Sequence, residues 1–161
     1  MKFAIPSALR LEHDELRNFL VRAAKEKGEL GNAARLVARL AEPHFAKEEK
    51  FALPALGLLP ALARGEYEPA MGELLAHTDW LAQHLEDLLG EHKAIVGALE
   101  GLLDVARAQN RPEYVDFAEN LMTHAAMEEQ VLYPAAVLVG EYLKLRLPRV
   151  SEAPEPLLAG S

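Results

Sequence analysis

The sequence predicts an all-α protein: an up-down antiparallel four-helix bundle built from two similar helical hairpins. Three observations predict it. Apolar residues recur at a 3-4 spacing in four stretches, the period of a helix with one buried face. Half of the 161 residues are hydrophobic, and Ala, Leu and Glu, all good helix formers, abound. The segment His44-Phe-Ala-Lys-Glu48-Glu49, followed by Pro54, returns eighty positions later as His124-Ala-Ala-Met-Glu128-Glu129, followed by Pro134.

The first helix reads Leu9, His13, Leu16, Leu20 and Ala23 along one seam, begun by Ser7 as N-cap after Pro6 and ended near Gly28. The second reads Leu30, Ala33, Val37, Leu40, His44, Glu48 and Phe51. Pro and Gly break the period from Pro54 to Pro69, which predicts a connector with one short helical piece. The third helix reads Leu81, Leu85, Leu88, His92, Ile95, Leu99, Leu102 and Ala106. Asn110 and Pro112 signal the start of the fourth, which reads Tyr114, Phe117, Leu121, His124, Glu128, Val131, Ala135 and Leu138. The bundle is expected to span residues 1–147, and residues 148–161, rich in Ser, Glu and Pro, to form a flexible C-terminal tail.

Bulk properties narrow the function. A net charge of −8 argues against nucleic acid or an anionic membrane as partner. No 18-residue run is free of charge, so no membrane span is expected. The opening Met1-Lys-Phe-Ala-Ile-Pro6 is too short in its apolar part for a secretory signal. Without cysteine there is no disulfide, thiolate-held zinc or cysteine-ligated iron–sulfur cluster. The expectation is one cytoplasmic domain.

The polar residues on the inward seams carry the functional signal. His13, His44, Glu48, His92, His124 and Glu128 all stand where leucine would otherwise sit. A buried carboxylate without a partner costs several kcal/mol. Neither seam offers an inward Arg or Lys, whereas metal ions would supply the missing positive charge. A lone His precedes each repeat at nearly the same distance, His13 by 31 residues and His92 by 32. The midpoint of the first pair falls at the Gly28–Gly31 turn and that of the second at Ala108. In antiparallel hairpins such equal arms bring both His to one height, roughly 23 Å from the turn. Each Glu then lies one turn beyond its His on the same face. Two hairpins about a pseudo-two-fold would converge four His and two Glu on a single layer, read as a di-metal site. The competing reading is an old duplication whose polar residues hydrogen-bond across the core.

Glu49 and Glu129, about 140° round the helix from their His, are expected to be solvated or to stand behind the ligands. His77 and His84 are read as a flanking, partly solvated stripe, with His84 able to line an access route. Trp80 and Tyr133 are read as packing residues, Tyr133 within reach of a ligand near the site.

These residues resemble the hemerythrin-like, HHE cation-binding family over about residues 5 to 145. The match rests on His13, His44 with Glu48, His92 within Glu91-His-Lys-Ala-Ile, and His124 with Glu128, plus the trailing Pro54 and Pro134. The resemblance implies an up-down bundle holding a non-haem di-iron centre. In it Glu48 and Glu128 bridge the irons and the four His are terminal ligands. Family members bind oxygen, nitric oxide or related ligands, or serve in peroxide chemistry or iron–sulfur repair. Oxygen carriers place two His one turn apart on the third helix, and here the neighbours of His92 at that spacing are Leu88 and Val96. The repair-type relatives bear a Cys-containing N-terminal segment, which this sequence lacks.

Imidazole and carboxylate suit iron, manganese or zinc. Two irons have about twelve coordination positions; four His and two bridging Glu fill about eight, and a shared oxo or hydroxo bridge about two more. About one position per metal stays open for oxygen, nitric oxide or peroxide. The preferred expectation is binding or sensing of such a ligand, with a separate protein partner for signal output. The alternatives are a redox enzyme of peroxide, ferroxidase or repair type, and a structural or storage bundle.

Overall fold

The computed structural model describes residues 3–146, all of whose regular elements are helical, with no strand among the described residues. Helix α1 spans Ser7–Ala23 and α2 spans Gly28–Phe51. Two short helices follow, α3 over Leu53–Leu56 and α4 over Leu59–Ala63, then a 3-10 turn over Pro69–Leu74 and α5 over Leu75–Gln83. Helix α6 covers Leu85–Ala108, and α7 covers Pro112–Met127. A π-turn over Glu128–Leu132 leads directly into α8 over Tyr133–Arg146. No described helix is long and apolar enough to cross a membrane. The expected C-terminal tail lies outside the described residues.

Both hairpin turns rest on backbone chemistry. Between α1 and α2, Gly28 takes φ 71° and Arg35 Nη1 donates to the carbonyl of Ala24 (2.7 Å), supplying a partner at the end of α1. Between α6 and α7, Asn110 takes the left-handed φ of 55° that Asn tolerates, and Pro112 opens α7 where its missing N–H costs nothing. The two turns are tied together by Glu26, which accepts from Tyr114 Oη (3.1 Å) and Arg111 Nη2 (3.2 Å). Ser7 does not cap α1: Pro6 holds the cap position and no side chain bonds the first turn.

The core is two apolar clusters with the polar seam residues between them. One comprises residues such as Leu20, Val37, Leu99 and Leu121 near the hairpin turns; the other joins α3, α5 and α8 through Leu53, Leu81, Tyr133 and Leu143. Helices α2 and α6 form the most extensive pair, α6 with α7 and α1 with α2 follow, and α1 meets α7 only sparsely.

Four expectations about the elements shift. On α2 the buried seam is Ala34, Val37 and Ala41, so Ala33 and Leu40 are only half-buried. The connector holds two short helices and a 3-10 turn rather than one helical piece, and the third stretch breaks at His84. There the imidazole Nδ1–H donates to the Trp80 carbonyl (2.8 Å). The fourth helix is out of register beyond Glu128: Val131 and Leu138 are 55% and 67% exposed, and Tyr133, Ala136, Val139 and Leu143 face inward instead. The π-turn is the cause. Pro134 has no N–H for the carbonyl four residues back, and the Tyr133 N–H reaches five residues back to Glu128. The extra residue rotates everything that follows.

Candidate metal centre

Among the described residues, six of the seven buried polar or charged ones are the six read from the sequence; the seventh is Thr78. His13 comes from α1, His44 and Glu48 from α2, His92 from α6, His124 from the end of α7, and Glu128 from the first residue of the π-turn. The chain disturbs its own helix one residue before each repeat-borne His. Pro43 removes an N–H ahead of His44, and Thr123 Oγ1 bonds the Glu119 carbonyl (3.0 Å) ahead of His124.

The donors fall into two groups that share Glu128. His44, Glu48, His92 and Glu128 form one, His13, His124 and Glu128 the other, and within each group the donor atoms lie within 4.8 Å of one another. Every imidazole turns Nε2 inward. Nε2 of His44 lies 3.0 Å from Glu48 and that of His92 lies 3.2 Å from Glu128. On the other side, Nε2 of His124 lies 2.8 Å and that of His13 3.5 Å from Glu128. The Nε2 atoms of His13 and His124 face each other at 3.3 Å.

Every Nδ1 points outward to a different carboxylate. His13 pairs with Glu49 (3.1 Å), His44 with Glu91 (2.8 Å), His92 with Glu129 (2.9 Å) and His124 with Glu12 (3.0 Å). The pattern obeys the repeat: the residue after each inner Glu serves the His of its own hairpin. The residue before each lone His serves the other hairpin. Glu49 is shared with Arg17 (2.6 Å) and Glu91 with Lys47, whereas Glu12 and Glu129 form no other ion pair among the described residues. Sequence reasoning assigned nothing to Glu12 and Glu91. Their signal was available, as each directly precedes a seam His.

Tyr133, wholly buried, is more than a packing residue. Its hydroxyl donates to Glu48 Oε1 and lies 3.2 Å from Nε2 of His92 and 3.4 Å from that of His44. The register change of the π-turn puts it there. The corresponding residue of the first repeat is Leu53, and the other donor group is walled instead by Phe45, whose ring lies 4.6 Å from that of His13. His77 and His84 join no donor group; the latter stacks on Trp80 (4.2 Å between ring centres), which stacks on Phe51 (3.9 Å).

The electrostatics express a demand for positive charge. Burial disfavours protonated imidazole, yet the carboxylates outweigh it. Glu128, Glu48 and Glu129 push His92 up to about 10, and Glu128 and Glu12 push His124 up to about 9. His13 and His44 are raised in the same way by Glu128 and Glu48. Glu128 is held well below the usual carboxylate range: burial opposes this, and His124, His13 and His92 prevail. Burial first, and the facing Glu48 and Glu128 next, raise Tyr133, so it stays a protonated donor.

Metal fits these residues on three counts. Glu48 Oε2 and Glu128 Oε1 are buried and accept no hydrogen bond, although Nε2 of His13 lies 3.5 Å from the first and Nε2 of His124 lies 2.8 Å from the second. The inward Nε2 and carboxylate oxygens are a donor set for iron, manganese or zinc. Each outward Nδ1–H on a carboxylate is the arrangement that fixes the tautomer and orientation of a metal-ligating His. No curated protein and no solved structure gives a significant match to the chain. A family model described as the Hemerythrin HHE cation binding domain matches residues 4–136. The chain belongs to the hemerythrin HHE cation-binding family.

Proposed function

We propose that the described helices form an up-down antiparallel four-helix bundle holding a pair of iron ions in this buried layer. His44, His92 and Glu48 would hold one ion, His13 and His124 the other, and Glu128, with Glu48, would span the two. The observation that carries the reading is the sharing of Glu128 by two groups of converging donors, with two buried carboxylate oxygens left unpartnered. Manganese or zinc satisfies the same donors, and iron is preferred for the redox chemistry that four nitrogen and two carboxylate ligands support. When bound, such a metal pair supplies reversible electron transfer to oxygen, nitric oxide or peroxide.

The chain's own residues set the conditions for that chemistry. Ring rotation is fixed by the outer carboxylates, so the four Nε2 atoms are aimed before a metal arrives. The apolar clusters on both sides keep bulk water out. Tyr133 supplies a hydroxyl at the His44/His92 group, beside both rings and bonded to Glu48. A second reading, a redox enzyme acting on peroxide or ferrous ion, draws on the same hydroxyl, a protonated donor beside the place where a ligand would react. Binding or sensing, in the cytoplasm and with a separate protein to carry the output, remains our choice. Anaerobic purification with metal analysis, then spectra on adding oxygen, nitric oxide and peroxide, tests both. A stable adduct supports binding, rapid bleaching with peroxide consumption supports the enzyme, and zinc with no spectral change overturns the iron reading.

A further inference from the structure

We propose that the cleft between α1 and α7 is the port through which divalent cations reach the His13/His124/Glu128 group and leave it. The inference rests on the metal-centre reading and adds a direction to it. The sparse contact between α1 and α7 leaves a cleft of about 570 Å³. Its inner wall includes His124. Among the six candidate ligands His124 is the least buried, at 6%, while the others are at 2% or less. Just behind its ring, 2.8 Å from Nε2, is Glu128 Oε1, a buried carboxylate oxygen with no hydrogen-bond partner. The opposite group is closed by Tyr133, which is wholly buried.

The charge of the cleft suits a cation. Glu12, Glu15, Glu113 and Asp116 line it, against the single guanidinium of Arg22. A concave surface of one sign concentrates the opposite ion and speeds its capture by 10- to about 1000-fold, an advantage that salt removes. Glu12 has a special place in this row, because its carboxylate faces the cleft and also pairs with Nδ1 of His124 (3.0 Å). A cation entering here exchanges water for carboxylate oxygen at the rim, then passes beside the His124 ring to the unpartnered Glu128 oxygen. The mouth thus forms a graded path of oxygen ligands ending at nitrogen.

The test uses metal-free full-length protein and cobalt(II), whose absorption changes on coordination, mixed in a stopped-flow instrument. Two variants alter the port at exposed residues and leave the donors intact: the triple change E15Q, E113Q and D116N removes charge, and N120W fills the cleft. The expected result is that wild-type uptake slows as ionic strength rises. At low salt the triple variant should load about ten-fold more slowly, with little salt dependence. N120W should slow both loading and removal by a chelator, with two cobalt ions per chain at the end point in every case. Either variant loading at the wild-type rate, with two ions bound, would overturn the port and leave the metal centre standing. Wild-type protein that fails to bind two cobalt ions would overturn the centre, and the port with it.

Discussion

Glu128→Gln keeps the shape of the side chain and removes its charge, and two separable effects should follow. In the metal-free protein the carboxylate lies 2.8, 3.2 and 3.5 Å from the Nε2 atoms of His124, His92 and His13. Breaking a buried ion pair from one side costs about 3–5 kcal/mol. At roughly 2–4 °C per kcal/mol for a domain of this size, the metal-free melting temperature at pH 6 should fall by about 10 °C. The second effect is on stoichiometry. Glu128 is common to both donor groups, whereas Glu48 gathers with His44 and His92 and reaches the other group only through its Oε2, 3.5 Å from Nε2 of His13. Glu128→Gln should therefore abolish binding of two ions, leaving the His13/His124 group with no carboxylate but Glu48, 3.5 Å from His13. Glu48→Gln should keep one ion, at His13 and His124. Anaerobic titration with ferrous ion or cobalt(II), gel filtration and metal analysis give the stoichiometry, with circular dichroism giving the melting curve. Two ions retained by Glu128→Gln, or an unchanged melting temperature, would refute the shared-carboxylate geometry.

Acidity gives the next expectation. In the metal-free protein His92 and His124 titrate near 10 and 9 against an ordinary 6.5, and Glu128 below its ordinary 4.5. A raised imidazole contributes fully below its unfolded value and loses that contribution as pH climbs through the folded one. A lowered carboxylate contributes above its unfolded value and loses it as pH falls. The metal-free melting temperature should thus be flat from about pH 4.5 to 6.5 and drop by on the order of 10 °C toward pH 10; a rise over that alkaline interval would contradict the pairing. Glu129→Gln, which removes the negative charge from the acceptor of the His92 Nδ1–H, should weaken cation affinity about 10- to 100-fold with two ions still bound at saturation. Loss of an ion would instead make Glu129 a direct ligand. Gly140→Ala should destabilise the α5–α8 contact by about 1–3 kcal/mol. The added Cβ would sit 2.3 Å from Thr78 Oγ1 and 2.6 Å from its Cβ. A melting temperature equal to wild type would show that α5 yields.

How much of this was readable in the chain depends on how each feature is encoded. The inner six residues stood out because charge on an apolar seam is costly, and the structure gathers all six in one buried layer. Four helical stretches were legible for the same reason, through the repeat of apolar residues. The outer carboxylates were half-legible. Glu49 and Glu129 were expected, from their angle on the helix, to be solvated or to stand behind the ligands, and each meets the outward Nδ1 of a seam His. Glu12 and Glu91 were missed because their partners lie on the other hairpin, and a periodicity argument sees one helix at a time. Tyr133 was read as a packing residue within reach of a ligand near the site, but its bond to Glu48 was hidden by the π-turn: a straight helix turns Val131 inward, and only the inserted residue brings the phenol to Glu48. His84 was read as a candidate for an access route, but it bonds the Trp80 carbonyl and ends α5, and the cleft that touches a candidate ligand lies against α1 and α7.

The exchange of outer carboxylates makes the hairpins depend on one another. Glu12 steadies His124, and Glu91 steadies His44, so a free-standing half of this chain would own braces with nothing to brace and rings with nothing to hold them. Such a half makes sense only beside a twin. The two hairpins are therefore complete only together. Their ends still differ, because a phenol, Tyr133, stands in one repeat where the other has Leu53, so the two halves of the buried layer are not interchangeable.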